Sequence, residues 1–260
     1  MPSWAIIGAS RGIGYGWLTA LSTDPSNTII GTARNPSPTA SQVQSDNLKN
    51  VHILQADLIS PSSLQAAAAE TAKLTNNSLD YLIINGAYMD PSTSETFLND
   101  FPSDDKLKSD LRNHFETNAI GVINALNAFL PLVLKSSIKK ILVLSTGMAD
   151  VDLVTNYEIW EGASYAISKA ATNMIVAKYH ARYKKDGLLV LSISPGVVNT
   201  GGKIPESSEL PMKFGKYAPH FTGPITPAES VKAMKEVFDR ATVEEFGGGF
   251  VSHTGTKEWL

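Results

Sequence analysis

Tyr165 and Lys169 stand four residues apart in Ser164-Tyr-Ala-Ile-Ser-Lys169. The stretch keeps a helical period as far as Gly187, so one helix face carries a phenol beside an ammonium. A free phenol has a pKa of about 10. A fixed positive charge nearby favours its ionised form, which is expected to bring the tyrosine toward acid/base work near neutral pH. The same spacing also makes an ordinary solvated helix face with a snorkelling lysine, and the rest of the chain has to decide between the two.

The elements that must hold such a pair are legible as apolar runs. Strands are expected at Trp4 to Ile7, Thr28 to Gly31, Val51 to Leu54, Leu79 to Ile84, Ile141 to Leu144, Leu188 to Ile193 and Phe250 to Ser252. These runs are continuous and do not alternate with polar residues, so both faces of the sheet are covered, as in a parallel sheet. Helices fall between them. Ser60-Pro61 supplies an N-cap and a first-turn proline, and Thr226-Pro-Ala-Glu229 is a capping box that opens a helix to about Arg240. The pattern predicts an α/β fold: a single doubly wound Rossmann-type domain over residues 1–260, with a mainly parallel, seven-stranded sheet and helices on both faces. Residues 200–227, rich in Gly, Pro, Ser and Lys, form the least regular connection and are the expected substrate loop or lid.

The first strand runs into Gly8-Ala-Ser10-Arg11-Gly12-Ile13-Gly14, followed by a helical stretch. Glycines at such a turn allow a pyrophosphate close to the backbone, where it meets the free N–H groups and the positive end of the helix. The second strand ends in Gly31-Thr-Ala-Arg34-Asn35 with no carboxylate. A ribose 2′-phosphate is an anion that a guanidinium binds in bidentate fashion, so Arg34, helped by Arg11, favours NADP(H) over NAD(H). Asp57-Leu58, after the third strand, is placed to receive an adenine amino group.

Composition narrows the partners. The chain of 260 residues is 43% hydrophobic and 18% charged, carries a net charge of −3 and has no cysteine. The weak negative charge argues against nucleic acid or an anionic membrane surface as partner. Without cysteine there is neither a disulfide framework nor a thiolate nucleophile, and the five histidines have no metal-ligand spacing. The N-terminus enters an apolar strand with no basic region or cleavage site, and no apolar run is long enough for a bilayer, so a cytoplasmic protein is expected. The acidic run from Asp100 to Asp110 is expected to be a solvated face. Tyr88, Trp160, Phe214, Tyr217 and Phe221 are candidate pocket aromatics.

Taken in order along nearly the whole chain, these motifs resemble those of the short-chain dehydrogenases/reductases. Gly8, Gly12 and Gly14 match that family's cofactor turn, Asn118 in Glu116-Thr-Asn-Ala-Ile-Gly121 matches its helix asparagine, and Tyr165 and Lys169 match its Tyr-x-x-x-Lys pair. Pro195-Gly196-Val-Val198-Asn-Thr200 matches the segment that contacts nicotinamide. Two segments depart from the pattern. Asn85-Gly86-Ala87 replaces the usual Asn-Ala-Gly, and Ser145-Thr146 stands where two serines are common, which leaves either hydroxyl as the candidate.

The resemblance implies a hydride transfer between NADP(H) and a carbonyl or alcohol substrate, with Tyr165 giving its proton to the developing alkoxide. It implies that Lys169 lowers the tyrosine pKa and holds the nicotinamide ribose, that Ser145 or Thr146 steadies the carbonyl oxygen, and that Asn118 interrupts its helix to hold a water. It also implies a homodimer or homotetramer. The alternatives are an epimerase, dehydratase or ring-forming enzyme on the same scaffold, and a nucleotide sensor without turnover.

Overall fold

The computed structural model describes residues 1–201, 208–219 and 221–260. Residues 202–207, within the expected substrate loop, and His220 lie outside the described residues. The first half of the chain forms β1 (Ser3–Ile7), α1 (Gly12–Ser22), β2 (Thr28–Ala33), α2 (Pro36–Ser45), β3 (Val51–Gln55), α3 (Pro61–Leu74), β4 (Tyr81–Ile84), α4 (Asp104–Phe115) and α5 (Gly121–Val133). The second half forms β5 (Lys140–Leu144), α6 (Val151–Asn156), α7 (Ala163–Tyr183), β6 (Leu189–Ser194), α8 (Leu210–Tyr217), α9 (Pro227–Arg240) and β7 (Phe250–Ser252).

The strands pair in the order β3-β2-β1-β4-β5-β6-β7. Every pairing is parallel, so the sheet is wholly parallel where a mainly parallel one was expected. The continuous apolar runs follow from this burial. In β1, Ala5 and Ile7 join a core under α3 and α5, while Trp4 and Ile6 join a second core under α1 and α9. Successive residues point to opposite faces, and both faces are dry, so no polar alternation survives in the strand. The chain order reverses between β1 and β4, which opens a crevice beyond the carboxyl ends of these strands.

Local signals place the helices that flank this crevice. Ser60 accepts a hydrogen bond from the Ser63 N–H at the start of α3. Thr226 and Glu229 bond reciprocally at the start of α9, the capping box the spacing predicts. Helix α7 gives way to a single tight turn and stops at Gly187, whose φ of +77° is the left-handed geometry of a helix end. Among the described residues, no helix is long and apolar enough to cross a membrane.

Candidate active site

The glycine turn between β1 and α1 is shaped by close backbone approach. Gly8 has a φ of +88°, and a Cβ there would lie 2.6 Å from Gly86 Cα; a Cβ on Gly14 would lie 2.1 Å from the Gly8 carbonyl oxygen. Asn85, after β4, locks the turn from below, its Nδ2 donating to the Gly8 carbonyl at 2.7 Å, and the Gly86 N–H donates to Ile7 at 2.8 Å. Helix α1 starts at Arg11 without a side-chain cap and without an acidic residue in its first turn. Its first N–H groups therefore have no side-chain oxygen of their own, and the helix end favours an anion.

The turn opens into a cleft of about 390 Å³ that gathers residues from six strand ends. Ser10, Arg11, Gly12 and Ile13 form one wall, Arg34 and Asp57-Leu58 the end, and Asn85-Gly86 the floor. Ser145, Tyr165, Lys169, Pro195 and Thr200 line the rest. Arg11 and Arg34 are exposed, and neither meets a carboxylate among the described residues. Thr200 closes over the turn, with its Cγ2 3.2 Å from where a Gly12 Cβ would sit. Gly14, Asn118, Thr146, Gly196 and Val198 do not line the cleft. Val198 instead bridges in parallel to Ile225 behind Pro195-Gly196.

Tyr165 and Lys169 enter the cleft from α7. Lys169 is buried and its Nζ donates to the Leu144 carbonyl at 2.7 Å, 6.0 Å from the centre of the Tyr165 ring. Burial pushes the phenol of Tyr165 up to about 12 and the ammonium of Lys169 down to about 8. This corrects the expectation that the lysine charge lowers the tyrosine. Desolvation disfavours both charged forms, and burial is the cause of both shifts.

The two candidate hydroxyls occupy different environments. Ser145 is buried beside Leu144, and its Oγ has no hydrogen-bond partner among the described residues. Thr146 caps a short turn, its Oγ1 accepting from the Met148 N–H at 3.3 Å. One hydroxyl is free within the cleft wall and the other is engaged in local structure.

Asn118 lies in a one-turn π bulge, Glu116–Ile120, between α4 and α5, which is the helix interruption the resemblance implies. Its side chain is fully buried. Oδ1 accepts from the Tyr88 N–H at 2.7 Å, while Nδ2 donates to the Tyr88 carbonyl at 2.8 Å and to Ser168 Oγ at 2.9 Å. Thr172 on α7 donates to the Asn118 carbonyl at 2.6 Å. Asn118 thus clamps the segment after β4 to α7, one turn from Lys169.

Sequence reasoning missed the network beside it. Asp110, expected on a solvated face, is buried and accepts from Thr93 Oγ1 at 2.8 Å, and His114, also buried, accepts from the Asp90 N–H at 3.4 Å. The acidic composition hid a helix face that turns inward after the first turns of α4; the i, i+4 spacing of Asp110 and His114 was the available signal. Of the candidate aromatics, only Tyr88 lines the cleft. Phe214, Tyr217 and Phe221 pack into a small apolar cluster with Leu153, Ile159 and Trp259, because residues 210–217, expected to be irregular, form α8.

A family model described as short chain dehydrogenase matches residues 4–210. The short-chain dehydrogenase/reductase AacuF of Aspergillus aculeatus is 43% identical, and the short chain dehydrogenase virK of Hypocrea virens 42% identical; in each case the match covers 100% of both chains. Among solved structures, the carbonyl reductase from chicken fatty liver, described with NADPH bound, superposes with a TM-score of 0.80 at 24% identity, over 98% of this chain and 93% of that one. The carbonyl reductase Sniffer of D. melanogaster gives a TM-score of 0.80 at 21% identity, over 98% of each chain.

Proposed function

This chain belongs to the short-chain dehydrogenase/reductase family, and from that premise we propose that it is an NADPH-dependent reductase of carbonyl substrates. The observation that carries this reading is the convergence of Tyr165, Lys169 and the unpartnered Ser145 hydroxyl on the cleft into which the glycine turn opens. The turn fits a dinucleotide, because Cβ atoms at Gly8 and Gly14 would fill the backbone cradle and the α1 end has no competing carboxylate. Gly8, Ser10, Arg11, Gly12 and Ile13 would hold the pyrophosphate, with Gly14 packed behind them to shape the turn, Arg34 with Arg11 a ribose 2′-phosphate, and Asp57-Leu58 the adenine. Asn85-Gly86, Pro195 and Thr200 would frame the nicotinamide end, with Gly196 and Val198 supporting the segment from outside the cleft.

When bound, the dihydronicotinamide supplies a hydride to the carbonyl carbon. Tyr165 gives the phenolic proton to the oxygen that gains the negative charge, and burial keeps that proton on the phenol at physiological pH. Lys169, charged below about 8, favours the tyrosinate left behind and presents donors to the ribose. Ser145 aims the hydroxyl that steadies the same oxygen, which makes it a better candidate than Thr146. Asn118 acts by fixing Tyr88 and Ser168 around Tyr165.

On this reading residues 1–260 work as one catalytic domain, cytoplasmic and homo-oligomeric, with 200–227 as the substrate loop. The deciding experiment follows dihydronicotinamide absorbance in purified protein against a panel of ketones and aldehydes. Steady consumption with a carbonyl supports the proposal. Binding of NADPH without consumption on any of them sinks it in favour of an epimerase, dehydratase, cyclising enzyme or sensor.

A further inference from the structure

Lys213 on α8 and Glu161, the residue before the left-handed Gly162 that opens α7, form an ion pair of 2.8 Å. The Glu161 side chain is fully buried and that of Lys213 is 11% exposed. The second Glu161 oxygen is buried without a hydrogen-bond partner among the described residues. The Lys213 Nζ also lies 5.3 Å from the centre of the Trp160 ring and 3.6 Å from Glu209, the residue just before α8. Desolvating two charges is expensive, so a pair that is kept buried marks a place where one geometry is enforced.

Neither Glu161 nor any α8 residue lines the cleft itself; the pair sits at the start of the helix that carries Tyr165 into it. Glu161 precedes Tyr165 by four residues, and α8 lies in the connection that leaves the cleft at Thr200. The segment around Glu161 is itself anchored to the loop after β4, the Gly162 N–H donating to the Ser94 carbonyl at 2.7 Å and Trp160 meeting Phe97 edge-on at 6.2 Å. The remaining contacts of α8 are apolar or to the C-terminal segment. Phe214 packs with Leu153, Ile159 and Trp259, and the Tyr217 hydroxyl accepts from the Trp259 N–H at 2.9 Å. One ion pair therefore supplies the charged connection between α8 and the start of the Tyr165 helix.

We infer that Glu161 and Lys213 are positioning residues whose buried ion pair latches α8 against the start of α7 and so shapes the carbonyl-binding end of the cleft. The consequence for substrate rests on the carbonyl-reductase reading; the latch does not. Removing Lys213 leaves Glu161 as an uncompensated buried charge, and removing the Glu161 charge leaves Lys213 only its 3.6 Å contact with the neighbouring Glu209; either loss frees α8 from α7, whereas replacing both with apolar side chains of similar length leaves a packed contact.

Glu161→Gln, Lys213→Met and the double variant Glu161→Met/Lys213→Met are compared with the wild type by chymotrypsin cleavage after Phe214 and Tyr217, by KM and kcat with a carbonyl substrate, and by NADPH affinity. In each single variant cleavage and KM rise about tenfold or more, while kcat and NADPH affinity stay within about twofold. The double variant recovers most of both losses. Unchanged cleavage and KM in the single variants, a double variant no better than the singles, or NADPH affinity falling in step with the carbonyl KM would each overturn the latch. Should a single variant not fold, the double variant decides: protection of Phe214 and Tyr217 as in the wild type supports the latch, and an unfolded or unprotected double variant overturns it. A wild type that consumes no NADPH defeats the reductase reading and leaves the cleavage comparison intact.

Discussion

The ammonium of Lys169 donates to the carbonyl of Leu144 at 2.7 Å, which fastens the charge on α7 to the strand end that continues into Ser145. The acid, the charge and the free hydroxyl are thus built on two rigid elements joined by one buried bond. Pre-organised groups of this kind need little rearrangement when charge develops in the reaction.

This bond and its burial give a pH profile. Lys169 is charged below about 8 and Tyr165 protonated below about 12. On the proposed carbonyl-reductase mechanism both forms are needed, so kcat/KM is expected to hold level up to about 8 and to fall above it as the lysine loses its proton. A profile of kcat/KM against pH checks this; a rate that stays level through this region would show that the lysine charge is not required.

Replacing Tyr165 with Phe removes the proton donor and leaves the ring packing. Turnover drops by about 10²- to 10⁴-fold, with NADPH affinity unchanged in a fluorescence titration. A Phe variant of near wild-type activity would take Tyr165 out of the reaction.

Ser145→Ala and Thr146→Ala separate the two hydroxyls. The Ser145 Oγ is free in the cleft wall, so its loss lowers kcat by about 10²- to 10³-fold. Thr146 caps a turn, so its variant loses about 0.5–2 kcal/mol of stability and keeps most of its rate. The reverse order in a side-by-side assay would reassign the hydroxyl.

Arg34→Asp places a carboxylate at the end of β2, where a 2′-phosphate would sit. NADPH affinity falls by about tenfold or more, and NADH affinity holds or improves. Dissociation constants for both dinucleotides measure it, and equal losses for the two would remove the case for phosphate recognition.

Asn118→Leu deletes the three side-chain bonds that hold Tyr88 and Ser168. It leaves buried backbone groups without partners at about 1–3 kcal/mol each. Chemical denaturation reads that loss directly, and a variant as stable as the wild type would show that other groups hold Tyr88.

The seven strands were readable because a parallel sheet buried on both faces demands unbroken apolar runs, and those runs appear at nearly the observed bounds. Much of the cleft was readable for a related reason. A glycine turn that admits no Cβ, an arginine where an acid is usual, and a tyrosine and lysine one turn apart are local requirements written at fixed spacings. Helix α8 was less readable, since its glycine, proline and lysines resemble a loop and its Phe214 finds its apolar partners only across the fold.

The types and spacing of Tyr165, Lys169, Asn118 and the glycines by themselves determined the family resemblance and the cleft that gathers Tyr165 and Lys169, because backbone approach and one-turn helix neighbours are short-range constraints. Long-range burial was left to the tertiary structure. It alone decided that desolvation raises Tyr165 and lowers Lys169, that Ser145 is free while Thr146 is engaged, and that Glu161 meets Lys213 across 52 residues of chain. Dielectric environment and partner choice depend on what the whole fold packs around a group, and no local spacing encodes them.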